Sequence, residues 1–277
     1  MGAFAWPALY ALFVWWFSTG VIILLDNLPR RTFRWSLGAA TALFAVSLYR
    51  LHTGAADISV AGAYAAFTYA VIAWGWQEMT FFMGALTGPR RTGSPEGAGG
   101  WSRFGHGVMA CLHHELAIVL TAAVIAAATW GMPNQVGLWT FLLLWAMRQS
   151  AKLNFFLGVR NLGEQFIPPH LGYMRSFTRR RPMNGLMPFS ITAGTVVTTM
   201  LVLRAAEPGI GEARAAGLSF LATMLALAVL EHWFLVLPLP FERLWSWVLR
   251  WRRPAWGPRL GRLGLRWDHA GVSGRKP

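Results

Sequence analysis

The chain has 277 residues, of which 55% are hydrophobic, 14% aromatic and only 13% charged. A mean hydropathy of +0.41 and a net charge of +14 exclude a disordered chain and fit a polytopic membrane protein. Nucleic acid is not the partner implied, because the arginines fall between apolar runs, where membrane orientation and anionic lipid account for them. One cysteine, Cys111, excludes an intrachain disulfide and any cysteine-based zinc or iron–sulfur site. Its apolar helix disfavours a reactive thiolate. The segment Met1 to Tyr10 lacks a basic region, so no cleavable signal peptide is expected.

A membrane-crossing helix needs roughly 20 apolar residues. The first candidate runs from Pro7 to Leu28, with Asp26 near its end, and Pro29 with Arg30, Arg31 and Arg34 stops it. The second is Ser36 to Leu51, which is short. The third is Ile58 to Leu86, with Glu78 in its last third, and a Gly/Pro-rich surface loop follows from Thr87 to Trp101. The fourth, Phe104 to Trp130, contains His113, His114 and Glu115. The fifth, Gln135 to Val159, carries Arg148, Gln149, Lys152 and Asn154 inside an apolar run. A polar segment from Arg160 to Met183 holds Glu164, His170 and an arginine triplet, and is placed to lie as a lid. The sixth, Asn184 to Leu203, has no internal charge, and the seventh, Ala213 to Leu237, carries Glu231 and His232. After Pro240 the stretch FERLWSWVLRWRR suits an amphipathic helix in the headgroup region.

The expectation is therefore all-α: a bundle of about seven transmembrane helices over residues 1–240, followed by a basic, Trp-rich cytoplasmic tail over 241–277. Arginines concentrate in the loops after spans one, three and five and in the tail. That bias puts the N-terminus outside and the C-terminus in the cytoplasm.

Orientation turns position into depth. At 1.5 Å per residue, Glu78 lies about 12 Å above its span's cytoplasmic end, and Arg148 and Lys152 about 10–16 Å above theirs. His113, His114 and Glu115 sit about 14–17 Å above the start of span four, and Glu231 and His232 about 8–9 Å above the end of span seven. Ionisable groups from four helices thus share one cytoplasmic-half layer. Each is costly in hydrocarbon, by roughly 2.5 kcal/mol or more, and needs a partner or a task. Arg148 and Lys152, four residues apart, share a helix face, and Asn154 is turned away from Arg148.

Several readings of this layer stand. One is an ion-pair network, with Glu78, Glu115 and Glu231 neutralising Arg148 and Lys152. A second is a metal centre, of di-iron type, built from Glu78, His114, Glu115, Glu231 and His232, with Glu164 and His170 from the polar segment. The Glu-x-x-His motif usual in such centres is missing. A third is a tetrapyrrole site, with His113, His114 or His232 as axial ligand and Arg148 or Lys152 pairing a propionate. Proton transfer or substrate conduction completes the set.

The run WWFSTGVIILLDNLPRRTFRWS (Trp15 to Ser36) resembles the start of PuhE, the photosynthetic complex assembly protein family of purple bacteria. So do WGWQEM, TGPRR, HHELA, PNQVGLWTFLLLWAMRQSAKLNFFLGVRNL, RRRPMN and LEHWFLVLPLP; together they span about Ala8 to Pro240. The resemblance implies a bacterial inner-membrane protein encoded with the reaction-centre H subunit. It implies a role in assembling reaction-centre and core-antenna polypeptides or in modulating the supply of bacteriochlorophyll or its precursors. It brings no catalytic residue set. The alternative activity is that of a membrane metalloenzyme, an oxidase or hydroxylase acting on a pigment or quinone.

Overall fold

The computed structural model describes residues 2–249. Seven long helices make up the body: α1 (Gly2–Asp26), α2 (Phe33–Thr53), α3 (Val60–Phe82), α4 (Gly100–Ala128), α5 (Val136–Leu157), α6 (Leu186–Ala205) and α7 (Glu212–Val236). No strand occurs among the described residues; Val159 and Arg180 form an isolated bridge. Four helices, α1, α4, α6 and α7, are long and apolar enough to cross a membrane.

The helices differ from the expected spans mainly at their ends. α2 is longer than Ser36 to Leu51, because it grows directly from a 3-10 turn at Arg30–Thr32 and carries Arg34, Arg50 and His52 in its terminal turns. Long basic side chains at helix ends reach polar surroundings while their stems stay apolar. α3 stops well before Leu86. Gly84 takes a positive φ of 77°, a conformation that side chains resist, and turns the chain. Leu86 then donates its N–H back to the Thr80 carbonyl at 2.9 Å. α4 begins at Gly100 rather than Phe104, so Arg103 lies inside it and donates to the Phe156 carbonyl of α5 at 3.0 Å.

α3, α5 and α7 occupy the middle of the bundle, and α6 sits outside against α7. Phe67 and Phe220 stack at 4.4 Å in a fully buried cluster joining α1, α3 and α7. Ile118, Ile125 and Phe141 centre a second cluster between α2, α3, α4 and α5. Between helices in lipid there is little hydrophobic driving force, so close approach and polar contacts matter more. Glycines provide that approach: a Cβ on Gly194 of α6 would meet the Val229 Cγ2 of α7 at 2.6 Å, and one on Gly217 of α7 would meet Val136 Cγ2 of α5 at 2.7 Å.

The polar segment after α5 is a folded cap. Asn161 donates its side-chain N–H groups to the Phe234 and Leu237 carbonyls, tying the cap to the end of α7. A 3-10 stretch, Pro169–Phe177, lies against α4, with Phe177 beside Gly107. Phe241–Trp245 forms a 3-10 turn and Ser246–Leu249 one helical turn. These residues, the start of the amphipathic helix expected in the headgroup region, pack against α1. Trp16 donates to the Leu244 carbonyl and Trp245 to the Trp16 carbonyl. Gly20 leaves a slot that the Trp247 ring enters. The rest of the expected interfacial helix and tail lies outside the described residues.

Candidate functional site

Most of the ionisable residues singled out in the sequence gather at the end of the bundle where α3, α5 and α7 finish. On α5, Arg148 and Lys152 share a face as their spacing requires, and each engages a different helix. The Arg148 guanidinium meets Glu78 of α3 at 3.0 Å, with side chains 28% and 12% exposed. Lys152 forms an ion pair with Glu115 of α4, and Gln149 donates to the same carboxylate's other oxygen. The ring of Phe82 lies 5.8 Å from the Arg148 guanidinium, and that of Phe81 5.9 Å from the Lys152 ammonium. α5 therefore stands between α3 and α4 and is locked to both.

Glu231 does not join Arg148 or Lys152 in an ion pair. It lies at the exposed α1–α7 seam, where the Trp15 indole donates to it at 2.9 Å. It remains within electrostatic reach of Arg148 and Glu78. Asp26 is buried at the end of α1 and senses Glu78 in the same way.

The histidines separate. His113 is exposed on α4. His114 is fully buried, 4.6 Å from the Phe81 ring, and neither ring nitrogen has a hydrogen-bond partner among the described residues. Its backbone N–H donates to the Thr87 carbonyl at 2.9 Å, so the loop after α3 lies directly on the middle of α4. His232 is held from both sides. Its Nδ1 lies 2.8 Å from the Ala228 carbonyl, which only accepts, so Nδ1 carries the proton. Nε2 then accepts from the Ser150 hydroxyl at 2.9 Å. Neither nitrogen of His232 is left for a metal or a tetrapyrrole.

A second polar chain follows that contact, and the sequence reading missed it. The Ser150 and Ser190 hydroxyls are 3.0 Å apart, Asn154 donates to Ser190 at 3.1 Å, and Asn184 donates to the Asn154 and Gly158 carbonyls. It links α5 to α6 and α7. The signal was present, since Ser150 and Asn154 are four residues apart on the face opposite the ion pairs. Gln77 adds a buried contact from α3 to Thr121 of α4 at 2.7 Å.

Glu164 and His170 belong to the cap and stay apart from the inner acids. Glu164 accepts from Arg180 at 2.8 Å, and that hydrogen bond holds its carboxyl below the usual range. His170 lies 2.8 Å from the Phe82 carbonyl through Nε2. Burial, reinforced by the Arg30 guanidinium, pushes its imidazole below its ordinary value.

Among the described residues no three His, Cys, Asp or Glu side chains gather as a metal ligand set. Glu78 and Glu115 are taken by cations, Glu231 by an indole, Glu164 by Arg180, His170 by the Phe82 carbonyl and His232 by two hydrogen bonds, which leaves His114, against the Phe81 ring, as the member without a hydrogen-bond partner among the described residues. The donor groups present do not fit a di-iron centre.

Fold and site together define an all-helical bundle of membrane type in which two ion pairs, Arg148–Glu78 and Lys152–Glu115, join α5 to α3 and α4. The chain belongs to a family of proteins of unknown function, DUF3623, whose sequence model matches residues 1–255. It is 40% identical over 246 residues to a 30.4 kDa protein in the puhA 5' region of Rhodobacter capsulatus, covering 87% of this chain and 89% of that one. No solved structure matches.

Proposed function

We propose that this protein is an assembly factor for photosynthetic complexes of the bacterial inner membrane, acting on reaction-centre and core-antenna polypeptides or on their bacteriochlorophyll supply. The observation that carries the reading is the relative's place in the puhA 5' region. It agrees with the setting that the PuhE-like blocks imply, beside the reaction-centre H subunit. The internal chemistry supports the same side. A di-metal oxidase needs free carboxylates, whereas those of Glu78 and Glu115 hold helices together through Arg148 and Lys152. All seven helices cross the membrane in this reading, with the N-terminus outside, as the arginine distribution favours.

Co-purification tests it. The tagged protein, cross-linked in membranes of a phototrophic strain during the onset of complex formation, is expected to bring down reaction-centre or core-antenna polypeptides. Their absence, with the tagged protein intact and cross-linked to other membrane proteins, rejects the reading. Reporter fusions to the loops test the orientation: activity of a cytoplasmic reporter after Arg181 and its loss after Arg50 are expected.

A further inference from the structure

A cavity of about 360 Å³ opens at the same end of the bundle, outside the ion-pair layer. Three separate segments form it: the 3-10 turn before α2, the loop after α3 and the 3-10 stretch of the cap. Arg30, Arg91, His170 and Tyr173 supply its polar wall, and Phe33 and Leu171 its apolar one. No carboxylate lines it among the described residues.

The two arginines of this wall carry no counter-charge from the described residues of the protein. Neither Arg30 nor Arg91 has a carboxylate partner among the described residues, although four other basic side chains here do. The Tyr173 hydroxyl is buried and without a hydrogen-bond partner among the described residues. His170 is oriented by its bond to the Phe82 carbonyl, and Gly84 passes close beneath the ring: a Cβ there would lie 3.0 Å from Cδ2.

Arg30 and Arg91, both exposed and without a carboxylate partner among the described residues, border from different parts of the chain a space without negative charge. Guanidinium forks match tetrahedral oxyanions, and a phosphate has enough oxygens for two forks at once. The cavity lies where α1 and α3 finish and α2 begins, which is headgroup level if these helices cross a membrane. We infer that this cavity binds a phosphate group, carried by a lipid headgroup or by a soluble phosphoester, with Arg30 and Arg91 gripping its oxygens.

The full-length protein, purified in neutral detergent and stripped of lipid, is titrated with inorganic phosphate and with glycerol 3-phosphate. In parallel it is tested against vesicles of phosphatidylcholine alone and with phosphatidylglycerol. Saturable binding of the soluble probes identifies a soluble ligand, and binding of phosphatidylglycerol vesicles alone identifies a lipid headgroup; either supports the site. The double variant Arg30→Gln/Arg91→Gln is expected to bind about a hundredfold more weakly, since a hydrogen bond to a charged group is worth about tenfold or more. Arg31→Gln/Arg34→Gln removes the same charge from exposed residues outside the cavity and should bind within about twofold of wild type. Equal losses in the two double variants would show a diffuse basic surface and overturn the site. Failure of wild type to bind any of the probes overturns it too.

Discussion

Removing the Arg148 charge should destabilise the protein more than removing Arg148 and Glu78 together. The pair is neither exposed nor sealed: its N···O distance is 3.0 Å and its side chains are 28% and 12% exposed. Breaking a fully buried pair costs about 3–5 kcal/mol, because the remaining charge is stranded, whereas an exposed pair is worth about 0–1 kcal/mol. The intermediate burial here puts Arg148→Met at about 2 kcal/mol. In a chain of this size that is a fall of about 4–8 °C in melting temperature. In Arg148→Met/Glu78→Gln no charge is stranded, and roughly half of the loss should return. Thermal unfolding of the four proteins in one detergent, arranged as a double-mutant cycle, measures the coupling. A coupling near zero, with the two single losses simply adding, would refute the claim that this contact locks α5 to α3.

Three further perturbations probe the rest of the bundle. Ser150→Ala leaves the His232 Nε2 buried without a donor and should cost about 1–3 kcal/mol, read by the same unfolding assay. Gly194→Val drives a side chain into Val229 at the α6–α7 seam and should cost about 1–3 kcal/mol, while Gly105→Ala, facing open space, should be neutral or stabilising by up to about 1 kcal/mol. His170 predicts a pH effect. The folded protein favours its neutral ring, so the unfolded chain binds more protons below its reference value of 6.5. The contribution of His170 is therefore complete above that value and is lost as pH falls below it. Proteolysis of the cap should accelerate on acidification in wild type, and His170→Gln should flatten that dependence.

Much of this arrangement could be read from residue order. The apolar runs marked all seven long helices, and the four-residue spacing of Arg148 and Lys152 placed both on one face. Glu78 and Glu115 fell at matching depth and became their partners. What stayed hidden was rotation. Depth along a helix does not say which neighbour a side chain faces, so Glu231 looked equivalent to Glu78, yet it turns to Trp15. Hydroxyl contacts were hidden for another reason. Serine is too common in apolar helices to stand out, and only the assembled α5–α6–α7 seam shows Ser150 and Ser190 serving His232 and Asn154. The loop after α3 read as surface because it is rich in glycine and proline. Those glycines instead let it lie on α4: a Cβ on Gly88 would run into the Met109 and Ala110 backbone.

The assembly role is tested most directly by a clean deletion in a purple phototrophic strain, with assembled reaction-centre complex and total bacteriochlorophyll quantified in the same membranes. Less assembled complex is expected while total pigment synthesis continues, with recovery on return of the wild-type gene. Assembled complex at the wild-type level in the deletion strain would contradict it.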